Sequence, residues 1–147
     1  MFIGKRNFIS DNTEVAECYI LFAKKDEQAA KTLEEQGLFN QAGYFYIQAM
    51  EKQVKAQIGK KVDVTNEYFA EQIQKTMGHS LNKSLELLIK LFAGNNDSLY
   101  NHLYQQLTEQ VFKNVKFNAL HNKVRYPTYS SKNKNYTELM LDKKDCE

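Results

Sequence analysis

A chain of 147 residues holds one domain's worth of core, and its net charge of +2 is too small for a field that attracts polyanions from every side. Apolar residues make up 42%, which excludes an intrinsically disordered chain. One proline and six glycines are too few turn formers for a sheet protein, so long helices with few connections are expected.

Residues 1–11 read as a polar lead-in, and "SDNT" at 10–13 offers several N-cap side chains. Val15, Cys18, Phe22, Ala29 and Leu33 then recur at helical spacing, predicting a first helix over 13–36 with Gly37 as its stop. A second helix is predicted over 39–58, where Phe39, Ala42, Tyr46, Met50, Val54 and Ile58 share one broad face. Its small residues Ala42, Gly43 and Ala49 would let a neighbour come close. "KKVDVT" is a polar connection, and Asp63 or Thr65 would cap a short third helix through "NEYFAEQIQKTM". After the break at "GHSL", Leu81, Leu85, Leu88 and Phe92 define a helix whose apolar face is widened by Leu87, Ile89 and Leu91, as suits the centre of a bundle. Leu99, Leu103, Leu107 and Val111 mark the buried side of a last long helix that continues to Val124 and ends at Arg125 or Tyr126, because Pro127 disfavours helix in the residue before it. The tail, 128–147, is polar, and is either loosely ordered or a short helix around "YTELMLDKK". The expected class is therefore all-α: an antiparallel bundle of four long helices plus a short one over 1–127, followed by the tail.

Other classes find little support. Cys18 and Cys146 stand far apart with no CxxC pair, so a reduced cytoplasmic chain without a disulfide is expected. "MFIGKRNFIS" lacks the apolar segment of a secretory signal. The longest apolar run, "LELLIKLF", is interrupted by Glu86 and Lys90 and is too short for a bilayer, so no membrane partner is expected. His79, His102 and His121 show no ligand spacing with Cys or carboxylates. With no Gly-rich phosphate loop and no GxSxG, neither a metal nor a cofactor is expected.

Four stretches in order carry a resemblance. "GLFNQAGYFYIQAMEKQVKA", Gly37 to Ala56, resembles the second-helix signature of the HEPN family, with Gln48, Ala49, Glu51, Lys52, Lys55 and Ala56 in register. Asp26, Ala29 and Leu33 match that family's first helix, "GHSL" looks like its His-x-Leu segment, and "VRYP" is similar to the A-R-Y-P that ends its last helix. The resemblance spans 22–127 and implies a helical bundle that usually dimerises. It also implies one of three roles: a metal-independent ribonuclease of toxin or defence systems, a non-catalytic partner of a small nucleotidyltransferase, or a nucleotide- or RNA-binding module.

Ribonuclease members of the family are similar to one another in an Arg followed, four to six residues on, by a His. A His titrating near neutrality moves the 2′-hydroxyl proton, and an Arg clamps the phosphate. Here "KFNALHNKVRYP" puts Lys116 five residues before His121, and lysine lacks the bidentate fork of arginine. Lys123 stands where the family has a Tyr after the His. Four residues separate His121 from Arg125, so they share a helix face, with Asn118 one turn earlier. Asn118, His121, Asn122, Arg125 and Tyr126 thus form a candidate nucleotide or phosphate surface. A solvated cationic pair at a helix C-terminus is the plain alternative. Glu51 and Lys52 are expected in structural ion pairs with neighbouring helices or at a solvated edge, Tyr44, Phe45 and Tyr46 in the core or a dimer surface, His79 as a cap or hydrogen-bonding group at a helix start, and His102 in solvent.

The first expectation is a nucleotide- or RNA-interacting protein, the non-catalytic partner of a small nucleotidyltransferase in a toxin–antitoxin or defence-type pair, and a homodimer. The alternatives are a metal-independent endoribonuclease using His121 with Lys116 or Arg125, and a plain helical interaction module.

Overall fold

The computed structural model describes residues 8–62, 71, 75 and 77–147, with the backbone alone for 8–13. Two long helices come first, α1 (Phe8–Glu35) and α2 (Phe39–Gly59). Gly37 joins them at φ +73°, a backbone conformation that side chains with a Cβ rarely adopt. The Gly37 amide donates to Glu34 O at 2.9 Å and the Leu38 amide to Leu33 O at 2.9 Å, the paired bonds of a Schellman stop.

Contacts across the two helices fix an antiparallel pair. Tyr46 donates to Glu34 Oε2 at 2.7 Å, and further along Lys52 pairs with Asp26. Between them lies a seam of alanines at every seventh position: Ala16, Ala23 and Ala30 on α1, Ala42, Ala49 and Ala56 on α2, all buried. A seven-residue repeat keeps one narrow stripe facing the partner helix, and methyl side chains let the two backbones close in.

The opposite face of α2 carries the larger side chains. Ile47 packs with Leu81 and Phe117, and Ile58 packs with Val62 and Met77. The first cluster joins α2 to α3 (Leu81–Ala93) and to the helix that carries His121; the second joins the end of α2 to α3. Burying side chains such as Ile58 and Leu81 contributes about 1.5–3 kcal/mol each. The central element is thus α2, apolar on two faces, and not α3. Phe92, expected in the buried stripe of α3, is 58% exposed; Ser84 and Ala93 are buried there instead.

Helix α3 starts at Ser80, whose side chain accepts from the Lys83 amide, and stops at Gly94. Asn96 caps α4 (Asp97–Gln105) in the same way through the Leu99 amide. Here the expected long helix breaks. A π-helical turn occupies Gln106–Val111, Lys113 and Asn114 take positive φ, and the chain restarts as α5 (Phe117–Lys123). Neither α4 nor the π turn buries a residue, and Val111 is 63% exposed, so the stripe Leu99–Leu103–Leu107–Val111 is not a buried side. The reason is local: Thr108 back-bonds to Tyr104 O at 2.8 Å, which bends a helix, and Asn114 accepts the left-handed conformation more readily than most residues.

Helix α5 ends at Lys123, two or three residues before the predicted end at Arg125 or Tyr126. The tail differs from both expected forms. Thr128–Ser130 (β1) and Asn135–Thr137 (β2) make a small antiparallel hairpin pairing Tyr129 with Tyr136, and α6 covers Lys143–Cys146. The tail docks on the start of α2, where Asn40 donates to Leu139 O at 2.5 Å and accepts from the Leu141 amide at 2.7 Å. Gly43 leaves the space that the Leu141 side chain fills, since a Cβ there would lie 2.6 Å from Leu141 Cδ1. The expected short helix after Asp63 or Thr65 lies outside the described residues, apart from helical backbone at 71, 75 and 77. Among the described residues no helix is long and apolar enough to cross a membrane.

Candidate functional site

Helix α5 is short, yet it is anchored from below by Phe117, which packs edge-on against Phe112 with ring centroids 4.8 Å apart. This anchoring turns His121 towards α2. The His121 ring lies 5.2 Å from the Tyr44 ring, and its Nε2 lies 3.1 Å from Gln48 Nε2. The two side chains are within hydrogen-bonding distance, and which of them donates follows the tautomer of the imidazole. Burial lowers the His121 pKa; the nearby Arg125 charge lowers it further, while Glu51 opposes both.

Arg125 lies between two aromatic rings, its guanidinium carbon 5.2 Å from the Tyr44 centroid and 4.9 Å from that of Tyr126. It also donates to the Tyr126 hydroxyl at 2.8 Å. Each cation–π contact at an exposed position contributes about 0.5–1 kcal/mol, enough to hold a guanidinium in one place. Four side chains from two helices therefore form one cluster: Tyr44 and Gln48 from α2, His121 from α5 and Arg125 just beyond it.

Beside this cluster opens a pocket of about 390 Å³, walled by His79, Ser80, Lys83, Asn118, His121 and Asn122, with Lys75 at its edge. Asn118 is held by two hydrogen bonds with the Ser80 hydroxyl, at 2.9 and 3.0 Å. Beneath lies Glu51, buried, with Oε1 accepting from Lys55 at 2.6 Å and lying 3.5 Å from His79 Nδ1. Lys55 also donates to Gly78 O at 2.8 Å, tying the turn before α3 to α2. Glu51 Oε2 has no hydrogen-bond partner among the described residues.

Comparison with protein-family models, with curated proteins and with solved structures found no match for this chain. The site is therefore read from its own geometry.

The structure brings Asn118, His121 and Asn122 to one pocket and sets Arg125 and Tyr126 beside it. Lys116 is elsewhere. It occupies the N-cap position of α5 without a side-chain cap bond, and lines a second pocket of about 490 Å³ with Asn82, Tyr104 and Thr108. Asn118 touches both pockets. Of the residues assigned elsewhere from sequence, Lys52 pairs with Asp26 of α1 as expected, Glu51 pairs with Lys55 of its own helix, and His102 is exposed. His79 reaches Glu51 and does not cap; Ser80 does. Sequence spacing missed Tyr44, Gln48 and Lys83 as site residues. Tyr44, Gln48, Glu51 and Lys55 stand four, three and four apart on α2, a polar ridge whose one available signal is that helical spacing. Among the described residues no three His, Cys, Asp or Glu side chains are placed to hold a metal ion.

Proposed function

We propose that the chain is a nucleotide- or RNA-interacting helical protein whose ligand sits at the His121–Arg125 cluster. The observation that carries this reading is the guanidinium of Arg125 between Tyr44 and Tyr126, next to a pocket bearing Lys83, Asn118 and His121. Such a group offers N–H donors to a phosphate, the exposed Tyr126 ring offers a base a flat face, and the carboxamides of Asn118 and Asn122 offer both donors and acceptors. The sequence resemblance adds the setting: a homodimer, working as the non-catalytic partner of a small nucleotidyltransferase in a toxin–antitoxin or defence-type pair.

A non-catalytic role is favoured over nuclease chemistry by two features. The Nε2 of His121 is already engaged by Gln48, and Lys116 lines a different pocket from His121 within one chain. One observation favours the endoribonuclease alternative: burial and the Arg125 charge lower the His121 pKa, which favours the unprotonated imidazole that a general base needs.

Thermal unfolding with added ribonucleotides tests the reading. A ligand at a hundred times its Kd stabilises by about 2.7 kcal/mol, a rise of several degrees in Tm. Wild type should show it, and Arg125→Ala should lose most of it. No shift with any ribonucleotide or short RNA would sink the proposal. RNA cleavage in EDTA by wild type but not by His121→Ala would transfer the site to the nuclease alternative.

A further inference from the structure

The second pocket is left unexplained by a ligand confined to the first. It is lined by Asn82, Tyr104, Asn114, Lys116 and Asn118, and is the larger of the two at about 490 Å³. Asn82 lines this pocket, and its Oδ1, turned away from solvent, has no hydrogen-bond partner among the described residues. Tyr104 is held flat by stacking on Tyr100, with ring centroids 5.9 Å apart and planes 14° from parallel, and remains 37% exposed. The backbone around the pocket departs from regular helix: the π turn at Gln106–Val111 precedes Lys113 at φ +47° and Asn114 at φ +62°. Local π turns and left-handed non-glycine residues collect at functional sites, where the strain shapes a cavity. These features are independent of one another and meet at one place.

Asn118 forms part of the wall of both pockets, so the two lie side by side. We infer that the two pockets are consecutive nucleotide subsites for one single-stranded RNA, with the Tyr104 ring stacking the second base, the Asn82 carboxamide turning into the pocket so that its Oδ1 accepts an N–H of that base, and Lys116 meeting a backbone phosphate. This deepens the nucleotide- or RNA-binding reading above and rests on it. A flat ring, a buried acceptor and a cation are the three groups that a nucleotide engages at once, through its base face, its base edge and its phosphate. The displaced lysine then has a use without an arginine's fork: it meets a phosphate as a point charge.

The test compares AMP with a hexa-adenylate RNA on the full chain, by calorimetry for the first and fluorescence anisotropy for the second. The RNA should bind wild type at least tenfold more tightly than AMP does. Tyr104→Ala should weaken RNA binding about tenfold and leave AMP unchanged, whereas Tyr104→Phe, which keeps the ring, should bind both as wild type does. Lys116→Ala should lower the slope of log affinity against log salt by about 0.7, the value for one single-strand phosphate contact. Wild type and Tyr104→Ala binding the RNA equally well would overturn the second subsite while the AMP site stands. A parallel loss of AMP and RNA in Tyr104→Ala would overturn the separation of the two pockets. Binding of neither ligand by wild type would overturn this inference together with the function proposed above.

Discussion

Five influences meet at His121, and each has a sign. Burial, the Arg125 guanidinium and His79 hold its pKa below the ordinary value of 6.5, and Glu51 and a hydrogen bond with Asn122 pull the other way. Following the imidazole by NMR should therefore give a midpoint under 6.5. Arg125→Gln removes the like charge and should raise that midpoint; Glu51→Gln removes the opposite charge and should lower it. A shift in the reverse direction for either variant would contradict the arrangement. The linkage to stability follows. A folded pKa depressed below the unfolded one leaves stability untouched above about pH 6.5 and reduces it as pH falls through and below that value. His121→Asn should flatten that part of the pH profile in urea unfolding. At this scale the pairing of His121 with Arg125 was legible, because four residues on a helix put two side chains on one face. Lys116 was joined to His121 by the family resemblance and not by helical spacing; it precedes the helix as its N-cap residue and lines the other pocket. Gln48 was out of reach, since it meets His121 across seventy-three positions of sequence.

Among the elements, the end of α1 and both ends of α2 and α3 fall close to where the sequence places them. The start of α1 and the last long helix do not. Phe8–Glu35 runs through "SDNT", which therefore does not stand ahead of the helix as its cap. The apolar repeat after Leu99 persists through a π turn, because such a turn adds a residue without changing which side chains are apolar. Periodicity records the tendency to helix and is blind to that extra residue. The tail escaped for another reason: its hairpin strands are three residues each, too short for alternation to show. Its attachment gives a direct prediction. Asn40 supplies both a donor and an acceptor to the backbone of the tail, each such bond contributing about 0.5–1.5 kcal/mol. Asn40→Ala should lower stability by about 1–3 kcal/mol and speed hydrogen exchange at the Leu141 amide, with α2 otherwise unchanged. An unaltered exchange rate there would mean that the tail is held by other contacts.

The whole molecule is organised around α2, which presents small residues to α1 and large ones to α3 and α5. Sequence patterning pointed to α3, since the apolar face of that helix is the widest in the chain. Large apolar side chains dominate any hydrophobicity pattern, whereas a seam of alanines contributes little to it. The buried set of α1 accordingly differs from its apolar stripe: Phe22 is 54% exposed, and Ala16, Ala23 and Ala30 are within 1% of full burial. The two descriptions of α1 make opposite predictions for a pair of variants. If the alanine seam holds α1 against α2, Ala30→Leu must push the helices apart, with an overpacking penalty of about 1–3 kcal/mol in urea unfolding. Phe22→Ala should then change stability by no more than about 0.5 kcal/mol, as a surface substitution does. If the stripe of Phe22 were the packing face, the truncation would be the costly change, at about 3–5 kcal/mol, and the leucine would be tolerated. Spacing matters as well as size, because the same leucine at Gln28, exposed on the same helix, lies off the seven-residue repeat and should be neutral. The penalty should follow the repeat, appearing at each of the buried alanines Ala16, Ala23 and Ala30.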